Sequence, residues 1–123
     1  MSHLGINYLA ASVAKGIKVI GYDSNKNIIS NLDSGKKIIN EPNLFEKIKK
    51  YKKNISFTSK IEKFKDCKII FISSDVPTNN QGKSNLKLIK KNINILKNKF
   101  NNKNLIIMSQ VYPGFTENLN WNK

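Results

Sequence analysis

With 123 residues the chain holds at most one domain of common size, long enough for a real core, and its formal net charge of +14 first suggests a polyanion partner. All 22 basic residues are Lys, with no Arg to fork onto guanine or phosphate, and they come with the Asn and Ile that an AT-rich genome over-supplies, so the charge reads as mutational bias and not as a nucleic-acid site. A single Cys, no signal peptide and no apolar run near the ~18 residues of a membrane span point to a cytoplasmic chain with neither membrane nor nucleic-acid partner.

In chain order, Ile6 to Lys15 reads as a helix rich in Ala and apolar residues, stopped by Gly16. IKVIGYD (17–23) follows as a β-branched strand ending in an acid, bounded by Gly16 and the Ser24-Asn25 turn. Residues 24–34 carry Ile28, Ile29 and Leu32 at helical spacing, and Gly35 closes them. Glu41-Pro42-Asn43 opens a helix through Leu44, Phe45, Ile48 and Tyr51, with Lys on its other face. ISFTS (55–59) alternates like a modest strand, and Lys60–Phe64 is a brief helix. KIIFIS (68–73) is apolar almost throughout, the mark of a strand buried on both faces of a parallel sheet. A turn-rich stretch leads to a helix from Asn85 to Phe100, with Leu86, Ile89, Ile93 and Leu96 on its buried stripe. NLIIMSQ (104–110) is a further buried strand.

Alternating strands and helices predict an α/β fold: a Rossmann-like, doubly wound and mostly parallel sheet. Ligands of such sheets bind beyond the carboxyl ends of the strands. Asp23 ends the strand that follows the first helix, where a carboxylate accepts hydrogen bonds from an adenosine ribose and repels a 2′-phosphate. That favours NAD over NADP; the plainer reading is a turn or capping Asp. Gly5 stands at the helix start, where a small residue lets amides reach a pyrophosphate. His3, the only His, has no acid partner in view and reads as a loop residue beside the cofactor. Val76, Pro77 and Thr78 form a tight loop after one strand, and Ser109 and Gln110 open the loop after another. Each could also be a plain strand–helix connection. Cys67 should be packed at the entrance of a buried strand. No residue set has catalytic or metal-site spacing.

Together these segments resemble the N-terminal domain of the UDP-glucose/GDP-mannose dehydrogenase family. SHLGINYLAASVAKGIKVIGYD resembles its glycine-rich loop, first helix and second strand. NLDSGKKIINEPNL is similar to a pattern of Leu, Gly, then Ile-x-Glu-Pro-x-Leu. IIFISSDVPTNNQGKSNL and IIMSQVYPGFTE resemble its Val-Pro-Thr turn and its Ser-Thr/Gln-Val-x-Pro-Gly-x-Thr segment. The resemblance makes residues 1–123 a partial NAD-binding domain, truncated at both ends. The first strand and first glycine are missing, as are the central and sugar-nucleotide domains and the catalytic Cys. It implies an oxidoreductase that takes the primary alcohol of a UDP- or GDP-sugar to the carboxylate with NAD, a step of polysaccharide biosynthesis. It further implies a nucleotide-sugar partner and a homo-oligomer for the full-length enzyme, and no activity for the isolated chain. By position, Asp23 binds ribose, and His3, Leu4 and Gly5 face pyrophosphate. Val76, Pro77 and Thr78 flank the cofactor, while Ser109 and Gln110 lie near the nicotinamide. Asn27 stands where the family often has Lys or Arg, and Lys26 beside it can substitute. The other readings are a stand-alone nucleotide-binding module and a basic nucleic-acid binder.

Overall fold

The computed structural model describes residues 1–121, and among them it has four α-helices, four short strands and three brief 3-10 turns. The chain divides into two compact units, Met1–Phe64 and the remainder from Lys65.

In the first unit, helix α1 (His3–Ala14) begins earlier than its apolar pattern suggests. Ser2 is its cap, its hydroxyl accepting the Gly5 N–H at 3.0 Å, so His3, Leu4 and Gly5 are first-turn residues and not loop. Ile6, Leu9, Ala10 and Val13 recur at helical spacing and are all buried. At the other end the Ile17 N–H reaches the Ser12 carbonyl and the Gly16 N–H the Val13 carbonyl. That pairing needs a left-handed residue, and Gly16 supplies it at φ +81°. Strand β1 (Val19–Tyr22) follows, then α2 (Lys26–Asp33), α3 (Leu44–Lys50) and β2 (Ile55–Thr58). Helix α2 ends as α1 does, with Gly35 at φ +77°.

Strands β1 and β2 pair in parallel, Val19 opposite Ile55 and Tyr22 opposite Thr58. Leu32, Leu44, Phe45 and Ile48 join Ile6, Leu9 and Ala10 in the core of this unit. Gly21 is buried between them because nothing larger fits: a β-carbon there would lie 2.8 Å from the Phe57 ring and 2.9 Å from Leu9.

The second unit holds β3 (Ile69–Ile72), α4 (Lys87–Phe100) and β4 (Asn104–Ile107). The two strands are again parallel, with Phe71 opposite Ile106. Helix α4 buries Ile89, Ile93, Leu96 and Phe100 and turns Lys87, Lys90, Lys91 and Lys99 outward. The parallel α/β character is as the sequence predicts, each unit holding one parallel strand pair among the described residues.

Strand β3 departs from the expectation of burial on both faces. Ile70 and Ile72 are buried, whereas Ile69 and Phe71 are half-exposed, as is Ile106 on β4. Successive side chains point to opposite faces, so only one face of this pair is covered. Residues 78–84, within the turn-rich stretch, form a closed loop. Thr78 and Ser84 form an antiparallel bridge, and the Asn79 side chain accepts the Gln81 and Lys83 amides.

Candidate functional site

The amino end of α1 and the carboxyl end of β1 meet in the first unit. Asp23, one residue beyond β1, pairs with the α-ammonium of Met1, and only 8% and 14% of the two side chains stays exposed. Its Oδ1 accepts the Asn25 N–H at 2.8 Å, and its own N–H bonds the Thr58 carbonyl at 3.3 Å. The carboxylate therefore lies beside the residues that lead into α1. That helix end carries the positive end of the macrodipole and N–H groups without helical partners, which suits a phosphate. A carboxylate for ribose hydroxyls beside a helix end for pyrophosphate is a donor and acceptor set that fits NAD.

In this geometry the Gly5 amide donates to the Ser2 hydroxyl that caps the turn. His3 has an acid partner after all: its Nε2 lies 2.7 Å from Glu41 Oε2, across 38 residues of sequence. Lys26 is the first residue of α2 and is exposed, while Asn25 caps that helix by accepting the Asn27 N–H at 2.9 Å.

A groove of about 360 Å³ also lies in this unit, lined by Leu4, Tyr8, Ala11, Glu41, Pro42 and Lys47 among others. Of the expected cofactor residues only Leu4 borders it, so the cavity and the expected site do not coincide.

In the second unit the parallel pairing sets the ends of β3 and β4 side by side. Val76 is half-buried, and Pro77, Thr78 and Gln110 are exposed. Ser109, half-buried, donates its hydroxyl to the Ser74 carbonyl at 2.6 Å. Asn92 of α4 donates to the Ser74 hydroxyl at 3.4 Å. Ser74 opens the SDVPT turn quoted above, whereas Asn92 lies within α4 outside every motif of the sequence.

Cys67 is not packed inside the sheet: it is half-buried and lies at the amino end of β3, away from these loops. Burial pushes its thiol above the ordinary range, the neighbouring Asp66 charge adds to the rise, and Lys103 opposes it. Among the described residues no helix is long and apolar enough to cross a membrane.

A parallel α/β arrangement with an acid closing β1 against a capped helix end defines a Rossmann-type dinucleotide-binding domain. The family model for the UDP-glucose/GDP-mannose dehydrogenase family, NAD binding domain, matches residues 1–122. The chain belongs to that family, and the cofactor of this domain is NAD. The UDP-N-acetyl-D-glucosamine 6-dehydrogenase of Salmonella typhi is 30% identical over 119 residues, covering 93% of this chain and 28% of the relative. The fold is shared with the UDP-glucose dehydrogenase of Pyrobaculum islandicum (TM-score 0.86, 25% identity, 96% of this chain and 29% of that one). It is shared as well with the GDP-mannose dehydrogenase of Pseudomonas aeruginosa (TM-score 0.83, 24% identity, 94% and 28%). The chain thus spans less than a third of the length of these relatives.

Proposed function

We propose that this chain is the NAD-binding portion of a nucleotide-sugar 6-dehydrogenase, which oxidises the primary alcohol of a UDP- or GDP-sugar to the carboxylate. The observation that carries the reading is Asp23, held at the end of β1 beside the residues that open α1. The names of the relatives support the substrate class, each being a dehydrogenase of a nucleotide sugar.

In this reading NAD supplies the hydride acceptor. Asp23 holds its adenosine ribose, and the turn of His3, Leu4 and Gly5 receives the pyrophosphate, with Lys26 close by in sequence. Val76, Pro77 and Thr78 flank the cofactor, and Ser109 with Gln110 stands toward the nicotinamide. These 123 residues bind and orient the cofactor without completing the oxidation. The nucleophilic route through an aldehyde needs a readily ionised thiol. The single thiol present, Cys67, is instead pushed toward its protonated form at the wrong end of β3. The whole enzyme is proposed to be a cytoplasmic homo-oligomer that takes a nucleotide sugar as substrate.

Titrating the chain with NAD and NADP, followed by amide NMR, tests the reading. Shifts at residues 2–5 and 23–27 at lower NAD than NADP concentration are expected, and equal affinity for the two would overturn it. Incubation with NAD and UDP-glucose, GDP-mannose or a UDP-N-acetylated sugar should give no sustained NADH. Production that vanishes on Cys67→Ser would refute the assigned division of labour.

A further inference from the structure

We infer that Ser109 is a positioning residue, which fixes the cofactor-flanking loop Ser74–Thr78 through the Ser74 carbonyl; its link to NAD rests on the reading above. The backbone ladder between β3 and β4 ends where the Met108 N–H donates to the Ile72 carbonyl at 2.8 Å. Beyond that point the Ser109 hydroxyl reaches across to the Ser74 carbonyl at 2.6 Å, a short contact even for O–H···O. The side chain thus supplies one more rung after the backbone pairing has stopped.

A serine hydroxyl has a single proton to donate. Here it is committed to Ser74, so Ser109 cannot donate to a bound molecule while the rung is in place. Its influence on the cofactor then passes through the loop. Asn92 tightens the same point from α4, donating to the Ser74 hydroxyl at 3.4 Å.

The distal end of the loop has anchors of its own. The Asn85 N–H donates to the Pro77 carbonyl at 2.8 Å, and Thr78 bridges to Ser84. Asp75 and Val76 are suspended between two fixed ends, and Ser109 makes the proximal one. Loss of the rung leaves the proximal end to the longer Asn92 contact and leaves the distal end tied.

The experiment compares the unmodified chain with Ser109→Ala and Ser109→Thr by amide hydrogen exchange and by NAD titration. In the Ala variant the Asp75 and Val76 amides should exchange faster and NAD should bind roughly threefold to tenfold more weakly, the scale of one lost hydrogen bond. Thr keeps the hydroxyl and should restore both. Amides of the β1–β2 ladder serve as the control: general destabilisation would speed their exchange too, whereas loss of a brace leaves them unchanged. Unchanged exchange at Asp75 and Val76 in the Ala variant overturns the proposal, as does failure of Thr to restore it. If the Ala variant does not fold, Ser109→Cys, similar in size and a poor donor, takes its place with the same expected outcomes. Absence of any NAD-dependent shift in the unmodified chain would refute the NAD reading alone, because the exchange comparison decides the brace without ligand.

Discussion

The α-ammonium of Met1 is paired with the carboxylate of Asp23, and the side chains of both residues are largely covered. Oδ1 is already held by the Asn25 amide, and Oδ2 faces the residues that lead into α1. Asp23→Asn removes the charge that repels a 2′-phosphate and weakens the acceptor. The preference for NAD over NADP should fall toward unity, and NAD affinity should drop by about 1.5–3 kcal/mol, the range for hydrogen bonds to a charged group. Calorimetric titration with both cofactors measures this, and an Asn variant that keeps its full preference would take Asp23 out of the site.

The pair of His3 and Glu41 should matter far less for stability. The side chains are 59% and 36% exposed, so water and salt screen them. Exposed pairs contribute up to about 1 kcal/mol, and a double-mutant cycle of His3→Ala and Glu41→Gln should give a coupling no larger. A greater value in denaturant titrations would mean that the pair holds the Glu41 loop against α1.

Gly21→Ala is expected to be disproportionately costly for the addition of one methyl group. The new β-carbon would press on the Phe57 ring and on Leu9 at once, from a strand held in register by β2. Overpacking of this kind costs about 1–3 kcal/mol, and thermal or denaturant unfolding should show it, whereas Gly82→Ala meets no atom within 4 Å. Gly82 has φ +76°, so its own cost is one of backbone conformation.

Cys67 should react slowly with thiol reagents near neutral pH, its rate rising only above the range of a free thiol. The folded chain holds the proton more tightly than the unfolded one, through burial and then the Asp66 charge. Stability linked to Cys67 is therefore intact below the unfolded thiol's range and is lost as pH climbs through the raised one. Asp66→Asn should speed alkylation and Lys103→Ala slow it. The opposite order would reverse the assigned causes.

The helix ends were legible because Gly16 and Gly35 stand where the last turn needs a left-handed residue, and a glycine after a periodic apolar run signals that locally. The start of α1 was harder to read. Ser2 sits where a glycine-rich loop would end, and its capping bond to Gly5 draws His3 and Leu4 into the helix. Asp23 was legible as a strand-end acid, since its role follows from its neighbours in sequence. The partners of Asp23, His3 and Ser109 were not, because they lie 22, 38 and 35 residues away and only tertiary folding brings them close. The half-exposed face of β3 escaped for a different reason. An apolar run has no period, so nothing in KIIFIS tells one covered face from two.

That uneven strand has a consequence for how this chain tolerates change. Ile70 and Ile72 are 4% and 5% exposed, while Ile69 and Phe71 are 47% and 50% exposed. Saturation mutagenesis across 69–72 should yield a comb: Thr, Gln or Lys accepted at 69 and 71, and only aliphatic residues of similar volume at 70 and 72. Ile106, opposite Phe71, belongs with the permissive set. Four consecutive codons that all specify apolar residues would thus drift at two unequal rates, and the stretch would lose its uniform character one alternate position at a time.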